Sequence, residues 1–183
     1  HDIARQALLH DKHVIVDKPF AVSSQQCDEL IQLATQRQRL LTVYHNRRWD
    51  GDFLTVQKLL SSQQLGTLSY VESRFDKYRP KVWGRWREQA RPGAGLLCDL
   101  GSHLIDQALV LFGQPHTVYA QVLTQRAQAQ TEDYFHLMLN YPGRQVVLRG
   151  SSLARVTPFR FYLEGSDGVF IKKDQDIQEK QMA

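Results

Sequence analysis

The spacing of apolar residues changes period partway along this chain, and that change limits the folds open to it. Over the first 46 residues, helix-spaced stretches alternate with short apolar runs. Ile3, Ala4, Ala7 and Leu8 recur at helical intervals, Val14-Ile15-Val16 is a continuous β-branched run, Cys27, Leu30, Ile31 and Ala34 are helical again, and Leu40 to Tyr44 make a second run. Short apolar strands between amphipathic helices mark a parallel sheet with buried strands. Ser23 followed by Gln26 supplies a capping box for the second helix. Helix–strand–helix–strand is the back end of a doubly wound sheet. Further on, Asp50 is placed to cap a helix burying Phe53, Val56, Leu59 and Leu60 that stops near Gly66. The period then becomes two. Phe135, Leu137, Leu139 and Tyr141 alternate with Tyr134, His136, Met138 and Asn140; Phe159, Phe161 and Leu163 alternate with Arg160, Tyr162 and Glu164; Val118, Ala120 and Val122 repeat the pattern. With turns at Pro142-Gly143 and Gly165–Gly168, these read as antiparallel strands with one apolar face. The expected fold is α/β plus α+β: the C-terminal part of a Rossmann sheet over residues 1–46, then a mostly antiparallel open sheet with covering helices over 47–183.

The stretch Gly95-Leu96-Leu97-Cys98-Asp99-Leu100-Gly101-Ser102-His103-Leu104-Ile105-Asp106 carries the clearest chemistry. Asp99 and His103 are four residues apart, so a helix projects them from one face, with Asp106 on the same stripe. Leu97, Leu100, Leu104, Ala108, Leu111 and Phe112 supply the apolar side that can cover the antiparallel sheet. A carboxylate beside an imidazole fixes the ring and stabilises its protonated form, the arrangement of a general base. Spacing alone leaves a surface ion pair as the commoner meaning.

A second motif is Asp17-Lys18-Pro19. Proline cannot extend the ladder, so the Val14–Val16 strand ends there and displays Lys18 at its carboxyl end. Ligands of open α/β sheets bind at that edge. A solvated lysine at an ordinary strand end is the plain alternative.

Together these segments resemble the Gfo/Idh/MocA oxidoreductase family. The family's Glu-Lys-Pro motif corresponds to Asp17-Lys18-Pro19, with Asp one methylene shorter than Glu. Its Gly-rich turn and Asp-x-x-x-His helix correspond to Gly93-Ala94-Gly95, Asp99 and His103, and Tyr44-His45-Asn46-Arg47-Arg48-Trp49-Asp50 resembles the segment after its last Rossmann strand. The resemblance implies an NAD(P)-dependent dehydrogenase moving a hydride between nicotinamide and a secondary alcohol of a sugar or cyclitol. It implies His103 as base, Asp99 as the residue orienting it, and Lys18 as donor to the alcohol oxygen and the nicotinamide ribose. Asp17, Lys18 and Pro19 would meet the cofactor, NAD or NADP; Asn46 and Arg47 would hold substrate hydroxyls, and Tyr78 and Trp83 would wall the sugar. It further implies homo-oligomers paired through the open sheet face. The Gly-x-Gly-x-x-Gly turn that receives the pyrophosphate is not in this sequence. A fragment, weak in cofactor binding by itself, is therefore expected. A non-catalytic sugar sensor or assembly module of the same fold is the alternative.

Composition narrows the partners. Hydrophobic residues at 42% and charged residues at 23% suit a globular protein, and no apolar run approaches a membrane span. Cys27 and Cys98, both on helix-spaced stretches, read as small core residues, and too few ligands accompany them for zinc. A cytoplasmic protein without metal is expected. The net charge of +4 is uneven: Arg74, Lys77, Arg79, Lys81, Arg85, Arg87 and Arg91 face only Asp76 and Glu88 in the same segment, with Tyr78, Trp83 and Trp86 interleaved. Such spacing also occurs on single-strand nucleic-acid surfaces, but no nucleic-acid motif accompanies it. A solvated loop, or a loop at the site mouth meeting phosphate or an anionic sugar, is the expectation. The polar end from Lys172 to Ala183 is expected to fray.

Overall fold

A computed structural model describes residues 1–175. The expected fraying of the chain end lies mostly beyond them. The described chain forms two compact units, His1–His45 with Arg91–Gly93, and Asn46–Ala90 with the residues from Ala94 onward.

In the first unit, helices α1 (Asp2–Leu9) and α2 (Ser24–Gln36) accompany strands β1 (Val14–Asp17) and β2 (Leu41–Tyr44). The strands pair in parallel, Val14 with Leu41 through Asp17 with Tyr44. Ala4, Leu8, Val14, Leu30 and Ala34 form the core, with Val16, Phe20, Leu33 and Leu41 packed against it. Both helices thus cover one side of the sheet. Ile15, expected to be buried, points the other way and is exposed, as is Ile31 on α2. At the start of α2, Ser23 Oγ accepts from the Gln26 N–H at 3.3 Å. The Gln26 side chain returns to the Val22 N–H, one residue before the cap, so the expected box is closed one position early.

The second unit is built on a six-stranded sheet ordered β4-β5-β6-β3-β7-β8. Helix α3 (Gly51–Ser61) precedes strand β3 (Leu68–Asp76); helix α4 (Ser102–Phe112) precedes β4 (Thr117–Leu123), β5 (Tyr134–Tyr141), β6 (Arg144–Ser151), β7 (Phe161–Gly165) and β8 (Val169–Lys172). All pairings are antiparallel except β3 with β6. Register places one row of side chains straight across the sheet: Val118, Leu139, Val146, Val71, Leu163 and Phe170. Phe53 and Val56 of α3 and Leu104 and Ala108 of α4 join the core formed by that face. The neighbouring row, Tyr119, Met138, Val147, Glu72, Tyr162 and Ile171, lies on the opposite face.

Four expectations are corrected here. The alternation at β7 breaks before the strand begins: Arg160, assigned to the polar side, is 1% exposed, and Phe159 packs on Tyr162 and under Arg74 instead. Strand β4 is exposed on both faces, so Val118 and Val122 are not covered by a helix of this unit. Arg74 belongs to β3 rather than to the basic loop. Cys27 and Cys98 are free and only half-buried, not core residues.

Candidate active site

Asp99 and His103 lie on consecutive turns, but the first is not α-helical. Leu97–Gly101 is a π-helical turn running directly into α4. A π turn spends one residue more than an α turn, so a four-residue step falls short of a full revolution instead of just past it. Such turns recur at functional sites, and nothing in the apolar spacing announces one. Glu132 receives the Leu97 N–H at 3.1 Å at the start of this segment. Gly95, at φ +98°, is required there: a Cβ would sit 2.0 Å from a Glu132 carboxylate oxygen. The Asp99 carboxylate accepts from Arg87 Nη1 at 3.2 Å.

His103 is buried in the first turn of α4. Two networks hold that helix. Gln107, one turn on, donates to the Arg47 carbonyl at 2.8 Å and accepts from Arg160 Nη2 at 2.9 Å. Arg160 also donates to Ser73 Oγ, lies 3.5 Å from Asp52, and is sandwiched between the Phe75 and Phe161 rings at 4.0 and 4.1 Å. On the other side, Arg48 grips Asp106 through two hydrogen bonds of 2.8 and 2.6 Å, and this carboxylate raises the guanidinium above its ordinary value. Asp106, expected on the catalytic stripe, is thus a tether.

Asn46 and Arg47 open a short 3-10 turn, Asn46–Trp49. Arg47 pairs with Asp50 at 3.1 Å. Asp50 occupies the N-cap of α3 without a side-chain cap bond, because its carboxylate faces Arg47. Burial raises the Asp50 carboxyl above its usual range, against the opposing pull of Arg47.

The basic loop is an organised wall. Trp83, Arg85, Arg87, Glu88, Asp99 and Arg126 line a depression of about 60 Å³ with Arg79, Gly95, Leu96, Thr131, Glu132, Asp133 and Ser152. Glu88 is its internal cap, receiving the N–H groups of Trp83 at 3.0 Å and Arg85 at 3.2 Å. Burial alone pushes the Glu88 carboxyl up, but those N–H groups and Arg126 together bring it below its ordinary value. Arg126 is nearly buried and binds Glu88, Asp133, and the carbonyls of Arg79 and Lys81 at 2.9 to 3.2 Å. Trp83 therefore shares this depression with Asp99. Tyr78 does not: it bridges to Leu153, and Arg155 lies over its ring at 4.5 Å.

In the first unit, Asp17 ends β1 and its carboxylate accepts the Lys18 N–H at 2.9 Å, so the acid holds its own turn. Lys18 and Pro19 follow immediately, half-buried at the carboxyl end of a parallel strand. A lysine there offers a cation and hydrogen-bond donors of the kind a ribose hydroxyl or an alkoxide accepts. The donor chemistry fits the ribose side of a dinucleotide.

Sequence reasoning missed Gln107, Arg126 and Arg160. Each lies in a stretch whose polar residue looks like solvent-facing punctuation. The single available signal is Arg160 between two phenylalanines, since an arginine flanked by aromatic residues has two faces on which to stack.

Residues 53–171 match the GFO/IDH/MocA C-terminal domain, and residues 1–45 match the oxidoreductase family with NAD-binding Rossmann fold. The uncharacterized oxidoreductase YdgJ of Escherichia coli is 47% identical over 180 residues, 98% of this chain and 52% of that protein. The scyllo-inositol 2-dehydrogenase (NADP(+)) IolW of Bacillus subtilis is 45% identical over 168 residues, 92% of this chain and 47% of that protein. The solved structure of YPO2259 from Yersinia pestis superposes with a TM-score of 0.92 at 46% identity, covering 99% of this chain and 51% of that one. The chain spans about half the length of the curated relatives it matches.

Proposed function

The chain belongs to the Gfo/Idh/MocA oxidoreductase family, and on that premise we propose that the protein is an NAD(P)-dependent dehydrogenase acting on a secondary alcohol of a cyclitol or sugar. When bound, the nicotinamide supplies the hydride acceptor or donor. His103 takes the proton of the substrate hydroxyl as general base, and Asp99 orients its ring and stabilises the imidazolium. Lys18 binds the ribose next to the nicotinamide from the end of β1, with Asp17 and Pro19 shaping that turn. Asn46 and Arg47, which follow β2, supply donors to substrate hydroxyls, and Trp83 offers an apolar wall for a ring. Tyr78, held against Arg155, is left outside this assignment.

The observation that carries the reading is a buried histidine fixed on a helix locked from both flanks, by Arg160 through Gln107 and by Arg48 through Asp106. A base must be held still to act in one geometry. A sensor needs neither the base nor its clamps. The cyclitol preference draws on the relative named scyllo-inositol 2-dehydrogenase. The test is reduction of NADP or NAD by the full-length protein with scyllo-inositol, myo-inositol and hexoses. Turnover of none of them, with either cofactor, would overturn the assignment. The present chain, which carries no Gly-x-Gly-x-x-Gly turn, is expected to bind NADPH only weakly by itself.

Assembly through the uncovered sheet face is part of the same reading. Tyr119 and Leu123 on β4 and Val169 and Ile171 on β8 are 40 to 58% exposed on that face, and exposed apolar residues on both edge strands suit an isologous pairing.

A further inference from the structure

The depression beside Asp99 holds more information than the dehydrogenase reading uses. Its volume of about 60 Å³ corresponds to only about four to six water positions at roughly 10–15 Å³ each. That volume suits one small substituent of a substrate. Its four carboxylates are already held. Arg126 takes Glu88 and Asp133, Arg87 takes Asp99, and Glu132 receives the Leu97 N–H. Two of its cations are not. Arg79 and Arg85 carry no ion pair among the described residues, and Arg85 lies over the Trp83 ring at 5.6 Å. The segment from Lys77 to Arg91 adds Lys81 to that field and contributes a single acid, Glu88, whose oxygens are consumed inside the loop.

We propose that this depression is a subsite for one anionic substituent, a carboxylate or phosphate, carried by the substrate, with Arg79 and Arg85 as its donors and Trp83 as its wall. The proposal rests on the dehydrogenase reading for the nature of the substrate, not for the binding itself. A planar guanidinium presents two parallel N–H groups to such an anion, and a neutral hydroxyl uses them less well. Arg126 sets the geometry. By gripping the carbonyls of Arg79 and Lys81 together with Glu88, it fixes the loop on which both arginines are mounted. Discrimination between a neutral cyclitol and its acidic derivative then resides in two exposed residues, whose loss leaves the core untouched.

The experiment is a titration of this chain, followed by tryptophan fluorescence and calorimetry, with myo-inositol, myo-inositol 1-phosphate and inorganic phosphate. Saturable binding of the inositol phosphate, tighter than that of either inorganic phosphate or inositol, is expected. The double variant Arg79→Gln/Arg85→Gln should lose about tenfold or more in affinity with an unchanged thermal melt, while Lys58→Gln on distant α3 should bind as the parent does. Equal binding by the double variant, equal binding of inositol, no saturable signal, or equal binding of inorganic phosphate would each overturn the proposal. No turnover or cofactor enters this titration. A protein that binds the inositol phosphate but never reduces NADP would fail the dehydrogenase reading alone.

Discussion

Arg160 and Asp52 are both buried, with 3.5 Å between guanidinium and carboxylate. This pair joins the start of α3 to the start of β7, and the other arms of Arg160 reach Ser73 on β3 and Gln107 on α4. Removing one member strands the other in a low-dielectric interior, a loss of about 3–5 kcal/mol. Arg160→Met and Asp52→Asn should each lower the denaturation midpoint accordingly, by about 6–20 °C at roughly 2–4 °C per kcal/mol. A melt within about a degree of the parent would show that the pair is not structural.

His103→Ala in the full-length protein should reduce kcat by about 10² to 10⁴, the usual contribution of a positioned acid–base group, with no matching loss of thermal stability. Gln107→Leu probes the clamp instead. It should lower kcat, because the base is no longer held in one place. Full turnover in His103→Ala would remove this residue from the chemistry.

Gly95→Ala combines a positive φ with a Cβ driven into Glu132. Strain of this kind costs on the order of 1–3 kcal/mol, and relieving it by swinging Glu132 away gives up the Leu97 N–H bond. Chemical denaturation should show that loss. Adding Glu132→Ala should recover the steric part only. A neutral Gly95→Ala would mean that the turn before the π segment tolerates another backbone conformation.

Glu88 gives the loop a sensitivity to acid. Its carboxyl in the folded chain lies below the ordinary value of 4.5. The stabilisation is therefore complete above that ordinary value and is lost as the pH falls through the depressed one. In a chain where Trp83 is the sole tryptophan (Trp49→Phe, Trp86→Phe), fluorescence should change below about pH 4.5, and Glu88→Gln should remove that transition. A transition that persists unchanged in Glu88→Gln would assign it elsewhere.

Light scattering of the chain should show a dimer or larger that Tyr119→Glu with Ile171→Glu converts to a smaller species. A parent that is monomeric at high concentration would set aside assembly through the sheet.

The change of period after Gly66 was sufficient to identify the antiparallel strands, because burial on one face leaves a direct mark on alternation. Phe135, Leu137 and Leu139 fall on the core side as the pattern requires. The parallel contact of β3 with β6 was not legible: parallel and antiparallel neighbours demand the same side chains of a half-buried strand. The sequence offers candidates where chemistry and spacing coincide, at Lys18, Asp99 and His103. It was silent where a polar residue acts through the interior. Arg160 looks like the outward partner of Phe161 in a strict alternation, but the strand starts one residue later, and the arginine turns inward to meet Asp52 and Gln107. The π turn at Leu97–Gly101 has no sequence mark either, since one extra residue per turn changes the hydrogen-bond ladder more than the apolar stripe.

Strand β3 occupies the middle of the six-stranded sheet, yet both of its neighbours come much later in the chain. Until Arg144–Ser151 has been made, β3 has no partner on one side, and until Phe161–Gly165 follows, it has none on the other. Pairings this distant must close long loops before they are rewarded, which slows folding. During synthesis the segment Leu68–Asp76 would wait as a strand with two open edges, a natural target for a chaperone or for misassembly with another nascent copy. The last piece to arrive also delivers Arg160, so the helix bearing the histidine is secured only when the sheet is nearly whole.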